Sequence, residues 1–231
     1  MKTLFLKGGL GNQLFQLAFC FNNLERISCI NTYYLDKYIS LRNLETQEII
    51  KAIGLNVIHK EQPRIFLLSN LASKIFNEDI HLFAFNSYFQ KSFKKSEDFR
   101  EIAKNILLGN TFKKKDKFIL HIRGTDFINV FKDYEEMALG YYKKVIHHFR
   151  IKEIDVATDD QVFANRILRK IGVNYSIGNY DFRDIASYNY IISMNSTFSW
   201  WAGYLGDSNI VNPTSNMNFR KWPKLKKELK L

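Results

Sequence analysis

The chain has 231 residues, 46% hydrophobic and 25% charged, a balance that excludes disorder over its whole length and allows a sizeable core in one domain or two small ones. A formal net charge of +11 favours polyanionic partners: nucleotide phosphates, nucleic acid or an anionic membrane surface. Cys20 and Cys29, outside any C-x-x-C pair, speak for a reduced compartment without a disulfide framework or structural zinc, and no apolar run approaches the roughly 18 residues of a membrane span.

Thr3–Leu6 reads as a first strand, followed by a Gly8-Gly9-Leu10-Gly11 turn and a helix with Leu14, Leu17, Ala18, Phe21 and Leu24 at helical spacing. Lys7 and the glycines interrupt the apolar start too early for a signal peptide. From Tyr33 to about residue 110 the signals weaken, with helices expected around Glu45–Ile53 and Glu97–Leu107. Lys113-Lys114-Lys115 marks a break, which sets the expected domains at 1–112 and 113–231. Beyond it, Phe118–Ile122 is a strand and Tyr134–Phe149 a helix. Ile154–Ala157 is a strand, Gln161–Ile171 a helix and Val173–Ile177 a strand. Phe182–Tyr188 is a short helix, Tyr190–Met194 a strand and Ser199–Leu205 a helix. Alternating strands and helices predict a parallel α/β sheet, in which ligands meet the carboxyl ends of the strands. No internal repeat or low-complexity segment stands out. Lys113–Lys115 and Lys224–Lys230 read as solvated surface, with attraction to an anionic membrane left open.

Residues with chemistry gather at the expected strand ends. Gly8 to Gln13 would let backbone N–H groups approach a phosphate, and Asn12 and Gln13 can donate to ligand oxygens or cap the helix. The segment lacks the GK[ST] ending of a P-loop, and Leu14 stands where a dinucleotide fingerprint needs glycine or alanine. His121 and Arg123 leave a strand on one face. Arg123 suits a diphosphate through parallel N–H bonds, and His121 either a base or ribose or a structural partner. Asp126 is a loop cap or a partner for Arg123. Asp159 and Asp160 are paired carboxylates without a metal-ligand spacing. Asp160 suits a helix N-cap, and Asp159 is free to accept the N1 and N2 protons of a guanine.

Ser196, Thr197 and Ser199 offer hydroxyls at a helix start, an anion site in its own right, and Phe198 can lie against a base. Trp200 and Trp201 favour core packing over sugar stacking. His147 and His148 diverge around their helix and share no metal, and no G-x-S-x-G elbow is present.

Several of these segments, in one order, resemble the α-1,2-fucosyltransferases of glycosyltransferase family 11. Gly8-Gly9-Leu10-Gly11-Asn12-Gln13-Leu14-Phe15-Gln16 looks like the family's N-terminal signature, and Asn195–Leu205 looks like its NSTFSWWAAYL segment. His121 to Phe127 stands at an HxRRGDY-like motif, keeping the first arginine with Gly124 for the second and Thr125 for the glycine. Tyr141 to Ile146 and Thr158-Asp159-Asp160 follow in the familiar order. The related α-1,6- and protein O-fucosyltransferases share the first arginine. The resemblance spans both ends of the chain and is poor between about residues 30 and 110, where the chain is short for the family.

The resemblance implies a GT-B-like α/β architecture, with a Rossmann-like C-terminal donor-binding domain and a smaller N-terminal α/β domain on the acceptor side. It implies inverting, metal-independent transfer of L-fucose from GDP-β-L-fucose, a donor substrate rather than a cofactor, to a hydroxyl of an oligosaccharide or lipid-linked glycan, forming an α-1,2 linkage. Arg123 would balance the leaving diphosphate, helped by Asn12, Ser199 and helix-terminal N–H groups, and Asp126 is the candidate base. Gly9, Gly11, Asn12, Gln13, His121, Arg123, Asp159, Ser196, Thr197, Phe198 and Ser199 are the expected donor contacts, with no metal ligand. The expected location is the cytoplasm, with peripheral contact at the inner membrane face. The alternatives are a transferase using another GDP-sugar, such as a GDP-mannose derivative, and a catalytically weak carbohydrate- or nucleotide-binding protein. A nucleic-acid partner is set aside, because no reader motif accompanies the charge.

Overall fold

A computed structural model describes residues 2–35, 44–75, 85, 87–125, 128, 133–194, 196–213 and 228–230. They divide into two compact units, the residues up to Ile106 and those from Leu107 onward.

The first unit opens with β1 (Lys2–Phe5), α1 (Leu10–Phe21) and β2 (Ile27–Asn31). It continues through α2 (Gln47–Ala52), β3 (Asn56–Ile58), α3 (Pro63–Ile75) and α4 (Glu97–Leu107), whose last residue lies past the division. Its sheet runs β1-β2-β3 with parallel pairs, and Phe85 bridges Leu4 from outside the named strands. Helix α1 is apolar nearly all round because it lies inside the unit, burying Leu14, Phe15, Leu17, Ala18 and Cys20. Aromatic rings fill the remaining space: Phe19 stacks on Phe89 at 4.0 Å, and Tyr34 stacks on Phe66 at 3.8 Å. Strands β2 and β3 and helix α3 carry too weak a pattern to be read from the sequence. Both cysteines are free thiols. Burial pushes the Cys20 thiol well up and leaves it inert.

The second unit contains β4 (Lys115–Ile122), α5 (Tyr134–His148), β5 (Glu153–Thr158), α6 (Gln161–Ile171) and β6 (Asn174–Ile177). Then come α7 (Phe182–Ala186), β7 (Tyr188–Ser193), α8 (Thr197–Gly206), β8 (Asn209–Asn212) and β9 (Glu228–Lys230). All six strands are parallel, in the order β6-β5-β4-β7-β8-β9. From β4 the chain therefore builds outward on one side, then returns to β4 and builds the other side. This is the order of a doubly wound Rossmann-like sheet, with its switch point between β4 and β7. Leu120, Ile122, Val156, Ile192 and Val211 form the core beneath α5 and α6.

Of the two charge runs read as solvated surface, Lys113, Lys114 and Lys115 of the first are exposed, and some residues of both also make contacts within the fold. The Lys114 ammonium donates to Ala186 O at 3.0 Å, Tyr188 O at 2.6 Å and Ser208 Oγ at 2.6 Å, tying together the ends of three elements. Lys115 opens β4 with its ammonium 4.8 Å from the Tyr188 ring centroid. In the C-terminal run, Glu228–Lys230 pairs with β8, because the backbone groups along that edge of the sheet need partners. Among the described residues, no helix is long and apolar enough to cross a membrane.

Candidate functional site

The switch point carries the polar cluster. Alternation along β4 puts Leu120 and Ile122 into the α5–α6 core and His121 on the opposite face. Register places His121 between Ala157 of β5 and Ser193 of β7. Across the row on that face, Ser193 is buried, and its hydroxyl has no hydrogen-bond partner among the described residues.

Helix α8 starts just beyond β7. Ser196 caps it, its Oγ accepting the Ser199 N–H at 3.4 Å. The Ser199 Oγ is hydrogen-bonded to His121 Nδ1 at 2.5 Å. Both hydroxyls, expected as ligand contacts, thus have partners inside the protein. Thr197 is buried beside them. Half-buried Phe198 lies against His121, with ring centroids 5.8 Å apart, and edge-on to Phe182 at 5.2 Å. Trp200 and Trp201 are buried and packed on Tyr204, which is the packing role expected of them.

Desolvation is the main reason that His121 has its pKa lowered from 6.5 to about 4, with Asp159 opposing the shift and Arg123 adding to it. The lowered pKa keeps the imidazole neutral near pH 7, and the half-buried residue remains within reach of solvent. A neutral ring with Nδ1 engaged by Ser199 suits a hydroxyl or a base edge, whereas the permanent cation Arg123 suits a phosphate.

The loop leaving β4 is clamped from two sides. Asp159, at the end of β5, accepts the Gly124 N–H at 2.7 Å and the Thr125 hydroxyl at 2.9 Å. From α5, the Tyr134 hydroxyl donates to Arg123 O at 2.9 Å and the Tyr142 hydroxyl to His121 O at 3.5 Å. Arg123 therefore sits on a backbone that a carboxylate and two tyrosines hold. Asp160 caps α6 by accepting the Phe163 N–H at 2.9 Å, as its position suggested. Its side chain also fills the space beside Gly124: a Cβ on Gly124 would lie 2.6 Å from Asp160 Cβ. The fold has thus closed around Gly124, leaving no room there for a side chain.

In the first unit, Gly8 adopts φ +81°, a left-handed turn that admits the chain into α1, and Gly9 is the N-cap residue. Gly11, Asn12 and Gln13 form the first helical turn. Asn12 is half-buried, its Oδ1 accepting from Gln90 Nε2 at 2.9 Å. Gln13 has a task different from the donor contact expected of it. It is fully buried, donating to Gly8 O at 3.0 Å and accepting from Thr46 Oγ1 at 3.0 Å. Gln16 holds the same turn from behind, accepting from Lys7 N at 3.2 Å and donating to Lys7 O at 2.7 Å. Buried Lys7, with its ammonium 5.1 Å from the Tyr88 ring centroid, was not singled out by sequence, because one cation before a glycine turn carries no pattern.

His121, Arg123, Asp159, Phe198 and Ser199 converge at the switch point of the second unit, while Gly9, Gly11, Asn12 and Gln13 belong to the first. Asp126 lies outside the described residues. Among the described residues, no cluster of three or more His, Cys, Asp or Glu side chains forms. Sequence reasoning missed Tyr134 and Ser193, and gave Tyr142 only as part of the Tyr141–Ile146 segment, without a role. Tyr134 read only as a helix position, and Ser193 as one polar residue in an apolar strand.

Topology and cluster together define an α/β protein with a Rossmann-like second unit and a polar site at its switch point. Similar solved structures include the α-1,6-fucosyltransferase NodZ soaked with GDP-fucose, with TM-score 0.47 and 12% identity over 95% of this chain and 97% of that one. Fucosyltransferase NodZ from Bradyrhizobium gives 0.48 and 13% over 87% and 92%. POFUT1 in complex with GDP gives 0.39 and 12% over 90% and 95%. No family model and no curated protein sequence matches the chain. At these TM-scores, the chemistry of this chain is read from its own residues.

Proposed function

We propose that this protein is a metal-independent, inverting glycosyltransferase that moves L-fucose from GDP-β-L-fucose to a glycan hydroxyl, forming an α-1,2 linkage. The observation that carries the reading is Arg123, held at the switch point by Asp159 and Tyr134 beside the neutral His121 and the start of α8. Transfer breaks the bond between the sugar and the diphosphate, and negative charge accumulates on the departing oxygen. A guanidinium carried on this anchored backbone and the first N–H groups of a helix stabilise that charge. His121, uncharged, holds the nucleoside through a hydrogen bond, and Phe198 beside it offers a ring face to the base. The acceptor hydroxyl loses its proton as it attacks the anomeric carbon from the opposite face, and Asp126 is the candidate base.

Support also comes from the order of the motifs in the chain, which resembles family 11 at both ends. A catalytically weak binder is the second reading, favoured by Gly124 in place of the second arginine and by the Asp160 side chain that fills the space beside it. The test is incubation with a panel of GDP-sugars, with and without glycan acceptors, scoring GDP release and product linkage. Acceptor-dependent release from GDP-fucose alone supports the proposal. Release from another GDP-sugar replaces the donor, and tight GDP binding without turnover across the panel favours the binder.

A further inference from the structure

Helix α3 exposes aliphatic side chains that the interior of its unit does not use. Its inward face is well seated: Phe66, Ser69 and Ala72 are buried, and Phe66 also meets Phe5 edge-on at 5.3 Å. The helix entrance is fixed by the Gln62 N–H, which donates to the Tyr34 hydroxyl at 3.0 Å. Outward, Leu67 is 63% exposed, Leu68 47% and Leu71 55%, while Ile65, 42% exposed, lies on the side of Ser69 and Ala72. The helix itself contains no acidic residue; Lys60, Arg64 and Lys74 lie in or beside it, with Glu61 between the first two. Lys60, Glu61 and Arg64 are exposed.

We propose that α3 docks this unit on an anionic phospholipid surface, an inference independent of the transferase reading. Thirteen residues are too few to span a bilayer, and a helix anchored along one side can only lie in the plane of the interface. There its leucines enter the acyl boundary while the flanking cations meet lipid phosphates, in keeping with a chain of net charge +11. A second copy of the chain is the poorer occupant. The three leucines expose roughly 300 Å², well under half of the ~800 Å² per partner that a stable protein interface buries.

The test is co-sedimentation of the full chain with vesicles of equimolar phosphatidylglycerol and phosphatidylcholine, against phosphatidylcholine alone, together with the L67S/L71S variant. The expected result is binding to the anionic vesicles only, weakened by added salt, and about tenfold weaker in L67S/L71S. The variant should keep its melting temperature, because both side chains are exposed. Absence of anionic preference overturns the proposal, as does undiminished binding of L67S/L71S. It is equally overturned if light scattering finds a dimer that L67S/L71S dissociates, since the face then belongs to a second copy.

Discussion

His121 and Ser199 are joined by a hydrogen bond between Nδ1 and Oγ across 78 residues of chain. The bond fixes the imidazole at the end of β4 against the first turn of α8, so the orientation of the ring and the start of the helix are set together. Ser199→Ala removes that partner and leaves the rest of the helix cap in place. We expect GDP affinity, measured by calorimetry, to fall about tenfold while the fold survives, a loss on the scale of one hydrogen bond. Unchanged affinity would remove His121 from the binding site.

Burial of the same ring predicts a pH effect on stability. The pKa of His121 falls from 6.5 to about 4 on folding, so between these values the unfolded chain takes up a proton that the folded one refuses. The unfolded state then binds more protons, and stability must fall as pH drops through this window. Above it both states are neutral, and the contribution is fully present. The stake is at most about 3 kcal/mol. His121→Gln should flatten the decline of the urea midpoint between about pH 7 and about pH 4.5. Equal slopes in the two proteins would contradict the buried, neutral ring.

If the proposed transferase reading holds, Arg123→Ala should reduce sugar transfer by on the order of 10²–10³, because the charge on the leaving diphosphate loses its counter-charge. Tyr134 bonds the backbone carbonyl of Arg123, so the loop anchor survives the substitution. Arg123→Lys should recover little, since an ammonium cannot offer two parallel N–H bonds. An Arg123→Ala enzyme retaining more than about a tenth of its turnover would refute the assigned role.

Gly124→Ala should destabilise the second unit by about 1–3 kcal/mol, since its Cβ would lie 2.6 Å from Asp160 Cβ. Asp160→Gly opens that space at the cost of a helix cap, so the two changes together should cost less than their sum. A double-mutant cycle in urea measures the coupling. Strict additivity would mean that the loop simply moves aside.

Lys114→Met should cost about 1–2 kcal/mol by urea denaturation, because Ala186 O, Tyr188 O and Ser208 Oγ lose a shared donor and only water can replace it. Activity per folded molecule should hold, as the contact lies at the amino-terminal ends of β4 and β7. An unchanged midpoint would return Lys114 to the solvated surface.

Local chemistry made some elements legible. Helix α6 matches its expected limits because Asp160 caps one end and Gly172, at φ +77°, the other. Both signals lie within the segment they terminate. Strands β3 and β9 are three residues long, too short to show a period, and exist because a neighbouring strand offers hydrogen bonds. Helix α3 escaped detection for the reason that makes it interesting: Leu67, Leu68 and Leu71 outside and Phe66 inside leave no single apolar stripe to count.

The sequence by itself determined the α/β class, the alternating elements of the second unit and the chemical types at the strand ends, because these follow from periodicity, caps and side chains within a few residues. Only the tertiary structure decided that Ser199 belongs to His121, that Asp159 holds the Arg123 loop and that Gln13 is buried behind its turn. Those pairings depend on strand order and register, which join residues tens of positions apart and leave no local trace in the chain.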